Sequence, residues 1–305
     1  MASKVLFTPH ISNEGVLALY KALGMELRGN IAIKLHSGEA GNQNYLTPEF
    51  WRPVIDAVGG TVVECNTAYA GKRNTFEAHW QTIKEHGFLD IAKVDLMDEE
   101  GDMQIPVQDT TRIKYDIVGS HMANYDYMIN LAHFKGHQMG GFGGVLKNAS
   151  IGVASASGKA YIHTAGKTAV VDELWANLPA DWDKTPEGND PFTESMAAAA
   201  QGVHDYFAAK KGIVYINVMN NMSIDCDCDS HPADPLIKDY GILGSTDPVA
   251  LDKACLDIIA QFVSDADNDP KPLQERIAQR NGQHIVEYAQ KIGLGKTVYK
   301  IICID

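Results

Sequence analysis

Between residues 133 and 163 the chain gathers His133, His137 and His163 with Lys135, Lys147 and Lys159 around a glycine run, Gly140-Gly141-Phe142-Gly143-Gly144. Histidine and lysine are the side chains that move protons, ligate metals or attack carbonyls near neutral pH. A second polar knot, Cys226-Asp227-Cys228-Asp229-Ser230-His231, lies far downstream. Two thiols at i, i+2 make a soft ligand pair suited to zinc, iron or nickel, and His231 is a candidate to complete the set. Asp227 and Asp229, interleaved with the thiols, point to an exposed loop. Such a loop fits metal or redox use better than core filling. The two segments read as two walls of one site.

Each of these residues also has a plainer reading. His133 and His137, spaced i, i+4, share a metal only on a helix, and Gly136, Gly140 and Gly141 argue against one. As structural histidines with satisfied rings they need no ligand. The glycine run is either a backbone cradle for an anion, with Gly141, Gly143 and Gly144 close to it, or a flexible turn. Lys147 is an anion contact, a covalent anchor or a surface lysine. His36, with Glu39 and Asn42, faces a polar ligand or solvent. Tyr69, Lys72 and Arg73 offer contacts to a carboxylate or phosphate. Cys65 and Cys303 in strands and Cys255 on an apolar helical stripe read as core residues. No H-E-x-x-H, phosphate-binding loop or Ser/His/Asp order is present.

These residues are positioned by alternating strands and helices. Strand patterns cover 30–36, 61–65, 113–118, 125–132, 213–218, 241–244 and 297–302. Thr47-Pro48-Glu49 opens one helix, Thr75 another, and Ser245-Thr246-Asp247-Pro248 a third, whose stripe is Leu251, Cys255, Ile258 and Phe262. Residues 192–207 form an Ala-rich helix. Val170, Leu174 and Leu178 predict a helix after Gly166. The pattern is that of an α/β fold with a mixed or mostly parallel sheet flanked by helices. It reads as one domain over 1–305, with a lobe boundary near 180–191 as the place where two lobes would divide. In such sheets ligands sit beyond the strand C-termini, where the loops at His36, Asn66, His133 and Met219 converge.

Of the 305 residues, 45% are hydrophobic and 21% charged, the balance of an ordinary globular protein. The net charge of −13 disfavours nucleic acid as a partner. No apolar run approaches a membrane span, and the N-terminus has no apolar signal core, so the cytoplasm is the expected location. Five scattered cysteines argue against a disulfide framework.

In combination, several motifs resemble those of the DUF362 family across nearly the whole chain. They are K-x-H-x-G-E at Lys34–Glu39, H-F-K-G-H at His133–His137, G-F-G-G-V-L-K-N at Gly141–Asn148, C-D-C-D at Cys226–Asp229 and S-T-D-P-V-A-L-D at Ser245–Asp252. Many relatives in that family are called iron–sulfur centre proteins and carry ferredoxin-type cysteine runs after the segment matching Gly158–Gly166. This chain has no cysteine between Cys65 and Cys226, so a [4Fe–4S] ferredoxin cluster is not expected in it. His137 to Lys147 also has a rhythm similar to the H-x-x-x-G-[FY]-S-G-G-x-K motif of the nickel-pincer lactate racemase family. That resemblance implies His137 as a proton-transfer base, Lys147 as the cofactor-tethering lysine and His163 as a metal ligand. The racemase serine is Gly143 here, and its other catalytic histidine has no counterpart.

The expectation is a metal-dependent enzyme acting on a small anionic substrate. His137, Lys147 and His133 would do the proton transfer. Gly141, Gly143, Gly144, His36 and Arg73 would join Lys147 around a ligand or cofactor. His163, Cys226, Cys228 and His231 would hold a transition metal, with nickel, iron and zinc all open. Two alternatives stand beside it: a redox or metal-carrier protein using the Cys226/Cys228 loop, and an anion-binding module without catalysis. A redox partner or a homo-oligomer fits either.

Overall fold

A computed structural model of the protein describes residues 2–304. The strands are β1 (Ser3–Thr8), β2 (Ile31–Lys34), β3 (Thr61–Glu64), β4 (Val94–Leu96), β5 (Asp102–Pro106), β6 (Tyr115–Gly119), β7 (Tyr127–His133), β8 (Lys135–His137), β9 (Gly141–Gly143), β10 (Gly212–Met219), β11 (Gly241–Ser245) and β12 (Tyr299–Cys303). The helices are α1 (Asn13–Ala22), α2 (Pro48–Val58), α3 (Phe76–Glu85), α4 (Val145–Ala149), α5 (Ala156–His163), α6 (Asp190–Ala208), α7 (Pro248–Gln261), α8 (Lys271–Gln279) and α9 (His284–Lys291). Among the described residues no helix is long and apolar enough to cross a membrane.

One eight-stranded sheet carries the fold, in the order β12-β1-β11-β10-β7-β2-β3-β4. Only β11 runs against the others, so the sheet is mixed but mostly parallel. β7 lies inside it between parallel neighbours, and all seven of its residues are buried. This explains why its sequence is a nearly continuous apolar run rather than an alternating one. Its side chains still alternate between faces. Tyr127, Ile129 and Leu131 join the core under α1, α2 and α3. Met128 and Ala132 join the core under α4, α5, α6 and α7.

Local signals account for several element ends. Pro48 opens α2, which closes on Gly59 at φ 65°. Asp247 caps α7 by accepting from the Val249 and Ala250 N–H groups, both at 3.0 Å. Two expectations are corrected. The segment after Gly166 forms no α-helix; it holds 3₁₀ turns at Val171–Glu173 and Trp175–Asn177. Of its predicted apolar stripe only Leu174 is fully buried, while Val170 is 53% exposed. A helix needs burial along its whole stripe to outweigh its ordering cost. The glycine run is also no open loop. Gly141–Gly143 is β9, paired antiparallel with β8 as a hairpin.

Candidate active site

The parallel strands β2, β3, β7 and β10 are adjacent, so their C-terminal ends open on the same side of the sheet. The ends of these strands and the segments after them carry His36, Arg73, His133 and Cys226, as the strand pattern leads one to expect. The two distant polar segments meet there. Phe134 donates its N–H to the Val218 carbonyl, and Gly136 donates to the Ser223 carbonyl, both at 2.8 Å. A Cβ on Gly136 would lie 2.1 Å from the Ile224 carbonyl oxygen. Glycine is therefore what lets the histidine segment lie against the cysteine loop.

The contact is fixed by Asp227. Its carboxylate accepts from Lys135 Nζ at 2.6 Å and from His133 Nδ1 at 3.0 Å. Burial pushes the Asp227 pKa up, but His133 and Lys135 outweigh it and hold the carboxyl well below its usual range. The expectation of an exposed acid-marked loop is thus corrected for Asp227, which is 2% exposed. It does not hold for Cys226 either, which is buried, although Asp229 is exposed. His133 Nε2 lies 2.6 Å from the Asn220 carbonyl. Both its ring nitrogens are engaged within the chain.

Cys226 is the centre of the outer part of the site. Its Sγ accepts from Lys147 Nζ at 3.3 Å and from the Cys228 N–H at 3.4 Å. The hydrogen bond from the Cys228 thiol, then Lys147 and Lys135, draw the Cys226 pKa well below that of a free thiol despite burial. Cys228 is pushed well above it by the same bond, by burial and by the Cys226 charge. The pair therefore holds one negative charge. Burial lowers the Lys147 pKa, but that charge more than offsets it and leaves the lysine above its ordinary value. His137, Cys226 and Cys228 bring one potential ligand atom each to within 4.8 Å of one another.

The two remaining cleft histidines are neutral. Burial, then Lys147 and His163, hold the His137 pKa well down. Its Nδ1 accepts from the Gly140 N–H at 2.8 Å, so the ring proton sits on Nε2. His163 is lowered to about 4, chiefly by burial. Its Nδ1 lies 2.7 Å from the Lys159 carbonyl, to which it donates, leaving a lone pair on Nε2. His137, His163, Cys226, Cys228 and Tyr69 line one cleft of about 250 Å³. His163 lines this cleft without joining the close group of ligand atoms. His231 stands apart, exposed, with its Nδ1 2.9 Å from Ser230 Oγ.

Next to this outer cleft is a smaller space, the inner cavity, of about 50 Å³. His36, Glu64, Arg73, Lys135, Lys147 and Lys159 line it, and Tyr69 and Cys228 line both spaces. Arg73 Nε donates to Glu39 at 3.0 Å, and Lys34 pairs with Glu64 at 2.8 Å. Burial, then Arg73, hold the His36 pKa well below its ordinary value, and its Nδ1 accepts from the Gly38 N–H. Gly143 borders the cavity, with an added Cβ in ordinary contact with Lys147 and Lys135 at 3.5 and 3.8 Å. Gly141, at φ 78°, packs instead against Gly282 and Ile277.

The N–H groups just after the glycine run are already engaged within the chain. The Val145 and Leu146 N–H groups at the start of α4 both donate to Asp252, each at 2.9 Å. Asn217 Nδ2 adds a third donor at 2.7 Å. A Cβ on Gly144 would lie 2.3 Å from that carboxylate. The chain supplies its own anion, and α4 in turn carries Lys147. Asp252, Lys135 and Lys159 carried no assigned role in the sequence reading. Lys135 had a signal in its place between two histidines and Asp252 in the motif at Ser245–Asp252, but the partners of Asp252 lie more than a hundred residues earlier.

The family model described as "Domain of unknown function (DUF362)" matches residues 31–257. No curated protein matches the chain. Among solved structures, the lactate racemase apoprotein from Thermoanaerobacterium thermosaccharolyticum is 11% identical, with 98% of this chain and 82% of that chain covered at a TM-score of 0.43. A likeness that low carries no inference about chemistry. The family match, by contrast, takes in β2 through most of α7, and so both the histidine–lysine hairpin and the cysteine loop. The chain belongs to the DUF362 family.

Proposed function

We propose that the protein is a metal-dependent enzyme acting on a small anionic substrate, with the metal at Cys226 and Cys228 and the anion beside it. The observation that supports this best is the close group of His137, Cys226 and Cys228 next to Lys147. Two sulfurs and an imidazole are a soft donor set, and three protein ligands leave a position open for substrate. The thiol pair already carries one negative charge, which favours a cation. His137 fits less well than the cysteines, because its Nδ1 is engaged by Gly140 and its Nε2 carries the proton. It would have to reverse its ring to ligate, and otherwise donates a hydrogen bond into the cleft. A bound metal would polarise a substrate oxygen. Lys147 holds the thiolate charge, and His163 Nε2 offers a lone pair to a substrate proton.

A second reading has its own support. A thiolate beside a thiol and an ammonium is also the arrangement of a reactive dithiol. Elemental analysis of protein purified without a metal column decides between them. Near-stoichiometric nickel, iron or zinc, with at least ~100-fold weaker retention in Cys226→Ser, is the expected result; loss of even a supporting contact costs ~10–100-fold. Metal-free protein from metal-replete cells, with Cys226 rapidly alkylated at pH 7, would overturn the metal site in favour of the dithiol.

A further inference from the structure

The lysines around the site differ in one respect. Lys34 has Glu64, Lys135 has Asp227 and Lys147 has the Cys226 sulfur. Lys159 is 4% exposed, yet its Nζ donates only to the Ala154 carbonyl, at 2.5 Å. Among the described residues no carboxylate oxygen pairs with it. On Arg73 the Nε edge is taken by Glu39, while the buried Nη2 has no hydrogen-bond partner. Both side chains line the inner cavity. A buried charge without a partner is costly, and here two cationic groups leave donors unsatisfied around one small space. The volume of about 50 Å³ is several times the ~10–15 Å³ that a single water needs. That is the bulk of a phosphate ion or a two- to three-carbon carboxylate.

We propose that the inner cavity binds one compact oxyanion, anchored by Lys159 and by the unpartnered Nη2 of Arg73, whose Nη1 stands 4.0 Å from Glu64. The proposal rests on the anion half of the reading above and not on the metal half. It gives Lys159 a role that packing does not: the lysine is kept for its charge at a cost to the stability of the empty protein.

The test is calorimetric titration and thermal unfolding of the full chain with inorganic phosphate and, separately, acetate and glycolate, each against chloride at matched ionic strength. Saturable binding of at least one of them is expected, and whichever binds tighter names the source. In Lys159→Met, affinity is expected to fall at least ~10-fold while the empty protein melts no lower than wild type. Gly143→Ala, which adds a methyl group at the cavity wall, is expected to weaken binding with Lys159 intact; it serves also if the methionine variant does not fold. No binding beyond chloride in wild type, or unchanged binding in the variants, overturns the proposal. So does a Lys159→Met protein that melts lower but binds normally, because that marks a lysine serving only Ala154. Metal content measured on the same samples separates this outcome from failure of the metal site.

Discussion

The inner cavity sets most of its cations against carboxylates, whereas the outer cleft has histidines and thiols without them. In and beside the cavity, Lys34, Lys135 and Arg73 are paired with Glu64, Asp227 and Glu39 within 3.0 Å. In the cleft, no carboxylate among the described residues pairs with the His137 or His163 ring, and burial lowers both pKa values. Cys226 and Cys228 divide one charge between two sulfurs. Burial alone therefore does not set the chemistry of a pocket; the distance to a countercharge on the same chain does. The cavity is suited to a hard oxyanion, and the cleft to a soft cation or a proton in transit.

The largest effect that should sharpen this contrast is acid lability. His163 titrates at about 4 in the folded chain, against an ordinary value of 6.5. As pH falls through that window the unfolded chain takes up the proton first. Stability is then full above pH 6.5 and drops by up to about 3 kcal/mol toward pH 4. Urea midpoints at pH 7 and 4.5 should show this slope flattened in His163→Leu. Glu64, held well below its ordinary 4.5 by Lys34, His36 and Arg73 despite burial, adds stability that is lost only below about that pH. An equal slope in both proteins would break the contrast.

The next effect separates two neighbouring glycines. Gly144→Ala drives a methyl group into Asp252 and should cost about 1–3 kcal/mol of stability. Gly143→Ala should change stability by no more than about 0.5 kcal/mol and act only on anion affinity. Equal losses in thermal unfolding would refute this division of the run. The smallest effect concerns Lys147. In Lys147→Met the Cys226 thiol should titrate higher, moving the pH–rate profile of iodoacetamide alkylation toward higher pH. An unshifted pH–rate profile would show that Cys228 alone sets the thiolate.

The scaffold was legible because its signals are local. The apolar run of β7, the Pro48 and Asp247 helix starts and the breaking of a helix by Gly136 can each be read within a few residues. The site was legible as a set of segments but not as a set of partners. Gly136 and Gly144 resemble flexible turn residues until Ile224 and Asp252 are seen against them. Asp227 has the local look of an exposed acid, and only Lys135 and His133, more than ninety residues earlier, explain its burial. Lys159 has no distinguishing neighbour in sequence. Its distinction is that no carboxylate oxygen among the described residues pairs with it, which is a property of the folded space. Val170, Leu174 and Leu178 show the opposite failure, a helical spacing that the surroundings do not reward.

Asp252 has a consequence for how the chain is made. The start of α4, and with it Lys147, is held by a carboxylate 106 residues beyond Leu146. During synthesis the central strands emerge long before that carboxylate does. A nascent chain halted ahead of residue 252 holds every histidine and cysteine of the site, yet lacks the group that fixes where Lys147 stands. The working site is thus completed late, and fragments ending before α7 should be resolved by pulse proteolysis as chains with an unsettled α4.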